Sequence, residues 1–209
     1  MTNSAKQYAP ATQRNREAIL EVLQQVLPPS GTILEVASGT GEHAVFMAPH
    51  LLKHKWLPSD PNPVARASIA AWLNEVESNN IYEPIDIDAS LPTWSVETHL
   101  ENFSPITAIV NINMIHISPW AACLGLMAGA NRILPPGGIL YMYGPYKQNG
   151  KHTAPSNEAF DESLKMQNSE WGVRDLEEVI QAASAQNLSF LKTFQMPANN
   201  LSVIFAKLV

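Results

Sequence analysis

Cysteine is almost missing from this sequence of 209 residues, since Cys123 is the single one. One cysteine cannot form an intramolecular disulfide, and it cannot supply a cysteine-rich metal site. Its apolar neighbours predict a buried thiol that packs as a small hydrophobic side chain. The sequence therefore excludes a disulfide-stabilised fold and a zinc site built on several cysteines.

Positive charge is also scarce, with 13 Lys and Arg against 19 Asp and Glu and a formal net charge of -6. No run of basic residues offers contacts to phosphates, so we expect no nucleic acid as a partner. His50 and His54 have the i, i+4 spacing of a ligand pair on a helix. Pro49 and the Leu-Leu-Lys setting favour a surface pair at a helix end, and we predict no metal site.

Long hydrophobic runs are lacking as well. No apolar stretch is long enough to span a bilayer, and residues 1–13 lack the apolar segment of a signal peptide. We therefore expect a cytoplasmic protein without a membrane partner, and the oligomeric state is left open. A hydrophobic content of 45% is typical of a globular protein. We predict one domain over residues 1–209, in which residues 1–29 are a helical extension that could close as a lid.

What the sequence does contain is an alternation of amphipathic and short apolar segments. The patterns predict helices over residues 13–27, 42–52, 62–76, 95–102, 119–134 and 173–186. They predict strands over residues 33–37, 55–58, 81–87, 106–113, 139–143, 188–196 and 201–209. The alternation favours an α/β fold whose parallel sheet has helices on both faces. The last two strands are too close in sequence for a parallel crossover, so one of them must run in reverse. Residues 144–172 have no strong period and are predicted to be a long functional loop.

The segment over residues 31–44 combines a buried strand, the turn Ser38-Gly39-Thr40-Gly41 and the start of a helix. Glycine at positions 39 and 41 permits a positive φ and a close approach of a ligand to the backbone. A strand, a glycine turn and a helix N-terminus together offer free N–H groups to a nucleotide-like ligand. We predict that this turn cradles a cofactor.

Acidic side chains lie in or after the first three strands: Glu35, Asp60 and Asp88. In open α/β sheets, ligands bind outside the carboxyl ends of the strands. An acid at the end of the second strand can hold a pair of ribose hydroxyls. An acid after the third can accept a hydrogen bond from an adenine amino group.

These motifs, together with Ala89 and the segment Pro135-Pro136-Gly137-Gly138, resemble the class I S-adenosylmethionine-dependent methyltransferases. The chain departs from their usual pattern at Ala37, where those enzymes have glycine. A more specific resemblance, to the DUF938 family related to the methyltransferase-like 26 proteins, runs along the whole chain. It is carried by residues 13–16, 34–44, 113–117, 143–146, 156–161, 171–175 and 196–201. Both resemblances imply a Rossmann-like, seven-stranded, mostly parallel sheet with an antiparallel last strand.

The resemblance also implies roles for individual residues. The cofactor S-adenosylmethionine would be bound by Glu35, Ser38, Gly39, Gly41, Asp60, Asp88, Ala89, Asn113 and Met114. Candidate substrate residues that we expect above the same sheet edge are Asn15, Arg16, Trp120, Tyr146, Asn157, Trp171, Asn199 and Asn200. Candidate catalytic residues are His116, Asp161 and Tyr143, where His116 or Asp161 would act as the base for a protonated acceptor.

The expected function is therefore methyl transfer from S-adenosylmethionine to a small-molecule acceptor that the sequence does not identify. One alternative is a module that binds the cofactor without catalysis. A second is an NAD(P)-binding oxidoreductase, because Gly39, Gly41 and Ala44 also fit the G-x-G-x-x-A pattern. The reversed final strand and the lack of a second catalytic domain argue against the oxidoreductase.

Overall fold

The computed structural model describes residues 5–208. The α-helices of this part are α1 (Pro10–Val26), α2 (Glu42–Met47), α3 (Pro63–Leu73), α4 (Trp120–Ile133), α5 (Pro155–Gln167) and α6 (Leu176–Ser184). The strands are β1 (Gly31–Val36), β2 (His54–Ser59), β3 (Ile106–Ile112), β4 (Ile139–Gly144), β5 (Tyr146–Gln148), β6 (Lys151–His152), β7 (Arg174–Asp175), β8 (Leu188–Met196) and β9 (Asn200–Lys207). Among residues 5–208, no helix combines the length and the apolar character needed to cross a bilayer.

The main sheet has six strands in the order β2-β1-β3-β4-β9-β8. Strands β1 to β4 are parallel to one another, and β9 is antiparallel to both of its neighbours, β4 and β8. The prediction that the last strand is reversed is confirmed. It follows that the carboxyl ends of β1 to β4 lie along a single edge of the sheet.

The predicted number of seven strands is wrong, and the difference lies at residues 81–87. This segment pairs with β2 only through two isolated parallel bridges, Trp56 to Ile81 and Ser59 to Ile85. Between the two bridges lies Pro84, which has no N–H group to donate to a neighbouring strand. The segment therefore follows the edge of the sheet without becoming a regular strand.

Helices cover both faces of the sheet, as the alternation predicts. On one face, α1 and α2 pack against alternate strand residues such as Ile33, Val110 and Ile204. On the other face, α4 and α6 pack against the intervening residues, among them Leu34. Cys123 of α4 is buried in this second layer, as predicted. Successive strand residues point to opposite faces, so the apolar runs of β1 and β3 can supply both layers.

The prediction of a loop over residues 144–172 is also wrong. This segment contains β5, β6 and the 13-residue helix α5, and β5 pairs with β6 and β7 in a small second sheet. The buried residues of α5 are Asn157, Asp161 and Leu164, which have helical spacing. Because two of these three are polar, an apolar period is hardly visible in the sequence.

Smaller differences concern the ends of helices. Helix α2 stops at Met47 and a 3-10 turn containing Pro49 follows, because proline cannot donate a helical hydrogen bond. Helix α6 begins at Leu176 instead of residue 173, because the side chain of Asp175 caps it by accepting a hydrogen bond from the Glu177 N–H. The helix predicted over residues 95–102 consists of two 3-10 turns.

Residues 6–9, which we call the N-terminal strap, cross α3 and reach the glycine turn. The Gln7 N–H donates to Ser68 Oγ (2.8 Å), and the Ser68 hydroxyl donates to the Thr40 carbonyl (2.8 Å). The Ala9 N–H donates to Glu42 Oε2 at 2.5 Å. The strap thus ties the start of the chain to the turn. Residues 1–4 of the predicted extension lie outside the described residues.

Candidate functional site

The turn between β1 and α2 has a left-handed backbone at Ala37 (φ 60°), Gly39 (φ 57°) and Gly41 (φ 91°). A Cβ atom on Gly41 would lie 2.8 Å from the Cα of Ile69, so α3 can pack this closely only against glycine. A Cβ on Gly39 would meet no atom within 4 Å. Gly39 therefore borders open space, and Gly41 fixes the position of the turn against α3.

The carboxylate of Asp60, just after β2, holds this turn in place. Its Oδ2 accepts a hydrogen bond from the Gly39 N–H (3.0 Å), and its Oδ1 accepts one from the Asn62 N–H (2.9 Å). The side chain is largely buried, with 8% of its residue surface exposed. Each carboxylate oxygen can accept a second hydrogen bond, so Asp60 can serve the turn and a ligand together.

A cavity of about 260 Å³, which we call the glycine cleft, opens beside Gly39 and Asp60. Its lining residues are Val36, Ala37, Gly39, Asp60, Pro61, Ile87, Asp88, Ala89, Ile112, Met114, Ile117, Ser118 and Ala122. Asp88 Oδ1 accepts hydrogen bonds from the N–H (2.9 Å) and hydroxyl (2.6 Å) of Ser90, so its Oδ2 stays available. Mostly apolar walls with two carboxylates suit a flat ring that carries hydroxyl and amino groups.

A second and larger cavity, of about 520 Å³, lies on the other side of the segment that follows β3. The residues of this tyrosine cavity are Ala11, Arg14, Asn15, Asn113, Ile117, Tyr143, Pro145, Ser156, Asn157, Phe160, Pro197, Ala198 and Asn200. Ile117 lines both cavities, and Met114 lines the glycine cleft while its neighbour Asn113 lines the tyrosine cavity. The two cavities therefore meet at the turn formed by residues 113–117.

Residues after α5 hold this junction turn by donating hydrogen bonds to carbonyl groups in it and directly after it. The Arg174 guanidinium donates to the carbonyls of Ile115 (2.9 Å) and Ser118 (2.7 Å). The Gly172 N–H donates to the His116 carbonyl at 2.9 Å. Arg174 thus fixes the wall between the cavities from behind, a role that its sequence motif did not reveal.

Tyr143, at the end of β4, belongs to the wall of the tyrosine cavity. Burial raises the pKa of Tyr143, and the side chains of Asn15 and Asn200 and the charge of Arg14 offset part of that rise. Tyr143 is consequently a neutral phenol near pH 7. It can donate a hydrogen bond to a bound molecule.

Asn15 is oriented by a histidine of α2. The distance from His43 Nε2 to Asn15 Oδ1 is 2.9 Å. Burial, together with the charge of Arg16, lowers the pKa of His43 to about 4, so the ring is neutral at pH 7. Because an amide oxygen can only accept, His43 must carry its proton on Nε2. The amide oxygen of Asn15 is thereby occupied, and its NH₂ group is the part of the side chain that hydrogen-bonds with Tyr143.

A family model described as "Protein of unknown function (DUF938)" matches residues 6–207. The chain belongs to the DUF938 family. This membership confirms the more specific of the two resemblances seen in the sequence.

Solved structures share the fold of this DUF938 chain at low sequence identity. An O-methyltransferase family protein from Burkholderia thailandensis has a TM-score of 0.77 and 11% identity, covering 95% of this chain and 57% of that one. An O-methyltransferase family 2 protein from Planctomyces limnophilus, in complex with apigenin, gives 0.71 and 18%, covering 92% and 61%. CalO1, a methyltransferase in calicheamicin biosynthesis in its SAH-bound form, gives 0.67 and 13%, covering 91% and 53%.

The DUF938 chain spans little more than half the length of these three structures. At such identities the likeness establishes a shared fold, the class I methyltransferase fold that the sequence motifs indicate. It does not identify the substrate of this chain.

The structure places five of the nine predicted cofactor residues in the lining of the glycine cleft: Gly39, Asp60, Asp88, Ala89 and Met114. Asn113 lines the tyrosine cavity instead. Glu35, Ser38 and Gly41 are not among the lining residues and act beneath the turn. Ser38 Oγ accepts from the Ser59 N–H (3.1 Å), which joins the ends of β1 and β2.

Glu35 is fully buried below the turn. Its Oε2 accepts a hydrogen bond from Trp56 Nε1 at 3.0 Å. Burial raises the pKa of this carboxyl to about 7, although the hydrogen bonds from Trp56 and Ser38 oppose the rise. Glu35 is therefore a titratable group inside the sheet at neutral pH.

Of the three candidate catalytic residues, only Tyr143 lines the tyrosine cavity. His116 is completely buried, its ring lies edge-on to Tyr146 (5.3 Å between centroids), and burial and Arg174 lower its pKa to about 3. The Asp161 carboxylate accepts from the Val173 N–H (2.7 Å) and from Lys165 (2.6 Å). Both residues have structural contacts instead. The His116 carbonyl accepts a hydrogen bond from the Gly172 N–H, and Asp161 binds the N–H of the adjacent Val173.

Three of the eight candidate substrate residues line the tyrosine cavity: Asn15, Asn157 and Asn200. The other five do not line it: Arg16, Trp120, Tyr146, Trp171 and Asn199. Asn199 lies nearby and its carbonyl accepts from Asn157 Nδ2 (2.9 Å). Arg16 packs over the ring of Phe46, 4.5 Å from its centroid, and Trp120 contacts Arg174 in a separate groove.

The sequence analysis did not identify Arg14 as a site residue, although it named the neighbouring Asn15 as a candidate. Ala11, Arg14 and Asn15 all line the tyrosine cavity, and they are spaced i, i+3, i+4 on α1. Residues at this spacing share one face of a helix. The helical period could therefore have identified Arg14 once Asn15 was a candidate.

Proposed function

We propose that this protein transfers a methyl group from S-adenosylmethionine to a small-molecule acceptor. The observation that carries the proposal is the meeting of the glycine cleft and the tyrosine cavity at Ile117, above the carboxyl ends of β3 and β4. Two cavities that border the same side chain can hold a donor and an acceptor next to each other. Ligands of parallel α/β sheets bind at this edge.

The residues of the glycine cleft fit the cofactor. The absence of any atom near Gly39 leaves the backbone open to a ligand. The carboxylate of Asp60 would accept hydrogen bonds from the ribose hydroxyls, while Asp88 would accept one from the adenine amino group. Apolar residues, among them Ile87 and Ile112, would contact the ring. One of the structures that share this fold has SAH bound, which supports the same assignment.

The cofactor supplies a methyl group that its positively charged sulfur already activates. The protein then has to align the acceptor with that methyl group and exclude water. Asn113, Ile117 and Tyr143 would do so from the wall where the cavities meet. Tyr143, as a neutral phenol, would donate a hydrogen bond to the acceptor. We assign no proton abstraction to His116, since its ring lies outside both cavities.

Isothermal titration calorimetry tests the cofactor assignment. We expect S-adenosylmethionine and its demethylated product to bind, and NADH not to bind. Asp60→Asn should weaken binding by about 10-fold to 100-fold, since hydrogen bonds to a charged group are worth about 1.5–3 kcal/mol. Glu83→Gln, which changes an exposed carboxyl outside both cavities, should bind as the wild type does. If NADH binds and S-adenosylmethionine does not, the protein is instead a candidate oxidoreductase.

A transfer assay separates an enzyme from a binding module. The protein is incubated with methyl-labelled S-adenosylmethionine and a deproteinised cell extract, and labelled products are separated by chromatography. Transfer to an extract compound, lost in Asp60→Asn, supports the proposal. Tight cofactor binding without labelled product in any extract would leave the non-catalytic module as the correct description.

A further inference from the structure

The lining of the tyrosine cavity has one charged residue, the cation Arg14, and no carboxylate. This is unexpected in a protein with 19 acidic residues and a net charge of -6. Acidic residues do occur on the helices that form the wall, but Glu17 of α1 and Glu158 of α5 are exposed and do not line the cavity. Within residues 5–208, Arg14 has neither an ion pair nor a hydrogen bond. Its charge is thus available to a bound molecule.

Two helices also begin at this cavity. Ala11 is the second residue of α1 and Ser156 is the second residue of α5, and both line the wall. At both helices the N-cap is an alanine, Ala9 or Ala154, so no side chain caps the first turn. Pro10 and Pro155 have no N–H, and the N–H groups of Thr12 and Asn157 donate to the carbonyls of Ala9 and Ala154. Among residues 5–208, the N–H groups left without a partner in these first turns are those of Ala11 and Ser156, and with the helix dipole they give each end a partial positive charge. The backbone therefore adds to the potential that Arg14 creates.

Among the polar side chains of the wall, Asn157 and Asn200 donate within the protein, to the carbonyls of Asn199 and Pro197. His43 occupies the amide oxygen of Asn15, which leaves the NH₂ group of Asn15 to hydrogen-bond with the Tyr143 oxygen. The hydroxyl of Tyr143 can still donate. The Arg14 guanidinium, the Tyr143 hydroxyl and the helix N–H groups together form a site for hydrogen-bond acceptors that carry negative charge.

We propose that the methyl acceptor is a small organic anion whose acidic group is bound by Arg14 and the first turns of α1 and α5. This inference rests on the proposed methyl transfer and specifies its substrate class. The cavity also has apolar walls at Ile117, Pro145 and Phe160, which would contact the uncharged body of the molecule. A cationic acceptor, such as an amine, would find no carboxylate to pair with.

The test divides the deproteinised extract on an anion-exchange column at pH 7.5 into a retained pool and a flow-through pool. Each pool is incubated with methyl-labelled S-adenosylmethionine and wild type, Arg14→Gln, Arg14→Lys or Lys53→Gln. Lys53 is exposed and lines neither the glycine cleft nor the tyrosine cavity, so its variant is a control for the loss of one positive charge. The Kd of S-adenosylmethionine is measured for every variant.

We expect the wild type to label a compound of the retained pool. Arg14→Gln should lower kcat/KM for that compound by about 10-fold to 100-fold, the size expected for a hydrogen-bonded charge pair. Arg14→Lys should recover part of the loss, and Lys53→Gln should match the wild type. The Kd of the cofactor should be the same in all four proteins, which separates an acceptor defect from misfolding. Treatment of the retained pool with phosphatase distinguishes a phosphate ester, which would be lost, from a carboxylate.

Labelling confined to the flow-through pool would overturn the inference while it supports the proposed methyl transfer. Equal kcat/KM for wild type and Arg14→Gln would also overturn it. No label in either pool, with the cofactor bound, would instead refute methyl transfer itself. The two failures are therefore distinguishable.

Discussion

The substitution Glu35→Gln should stabilise the protein at alkaline pH. In the folded state the buried carboxyl has a pKa of about 7, against an ordinary value of 4.5. The folded protein therefore binds a proton that the unfolded chain has already released between these two values. The contribution of Glu35 to stability is fully present below pH 4.5 and is lost as the pH rises through 7.

The size of the effect follows from the same two values. A pKa that is raised from 4.5 to about 7 corresponds to about 3 kcal/mol of unfolding free energy, at 1.36 kcal/mol per pKa unit. Glutamine keeps an oxygen that can accept the hydrogen bond from Trp56 Nε1, and it carries no charge. Relative to wild type, Glu35→Gln should thus gain about 3 kcal/mol between pH 4.5 and pH 8.

Urea unfolding followed by tryptophan fluorescence at a series of pH values measures this difference. Glu17→Gln is the matched control, since Glu17 is exposed on α1 and should show no pH-dependent difference. If the free-energy difference between wild type and Glu35→Gln is the same at pH 5 and pH 8, Glu35 does not titrate near neutrality. Burial in the folded protein would then not have raised the pKa of Glu35.

Two further predictions use other parts of the structure. Gly39→Ala and Gly137→Ala should each lose about 1–2 kcal/mol of stability, because both positions have a left-handed backbone and open space around the added Cβ. Calorimetry should show weaker cofactor binding for Gly39→Ala alone. Equal binding in both variants would place the cofactor elsewhere. In wild type, the neutral His116 contributes stability above pH 6.5 that is lost as the pH falls toward its folded pKa of about 3. The unfolding free energy of wild type should therefore fall more steeply than that of His116→Asn between pH 6.5 and 4, by about 1.4 kcal/mol per pH unit. Parallel urea-unfolding profiles would show that His116 is protonated in the folded state.

The parts of this fold that the sequence predicts well are those where local signals agree. The glycine turn, the acid after β2 and the reversed last strand each depend on a short segment whose backbone chemistry has few alternatives. Asp60 is an example, because its position 21 residues after Gly39 fits one helix and one strand between them. Tertiary contacts then only had to bring the two together.

The parts that the sequence predicts poorly depend on contacts between distant segments. Helix α5 buries Asn157 and Asp161, which become core residues only through partners such as Asn199 and Lys165. Likewise, His116 follows a strand at the functional edge but turns inward, against Tyr146 and away from both cavities. No periodic pattern records which side of a turn a side chain will occupy.

The position of β9 has a consequence for how the protein is made. The ribosome synthesises β9 after both β4 and β8, and β9 then lies between them and supplies hydrogen bonds to both. Until it is released, two strand edges remain open to pairing with other chains. A nascent or prematurely terminated product that ends before Asn200 should therefore be a substrate for chaperones and proteases, even though every residue of the glycine cleft is already present in it.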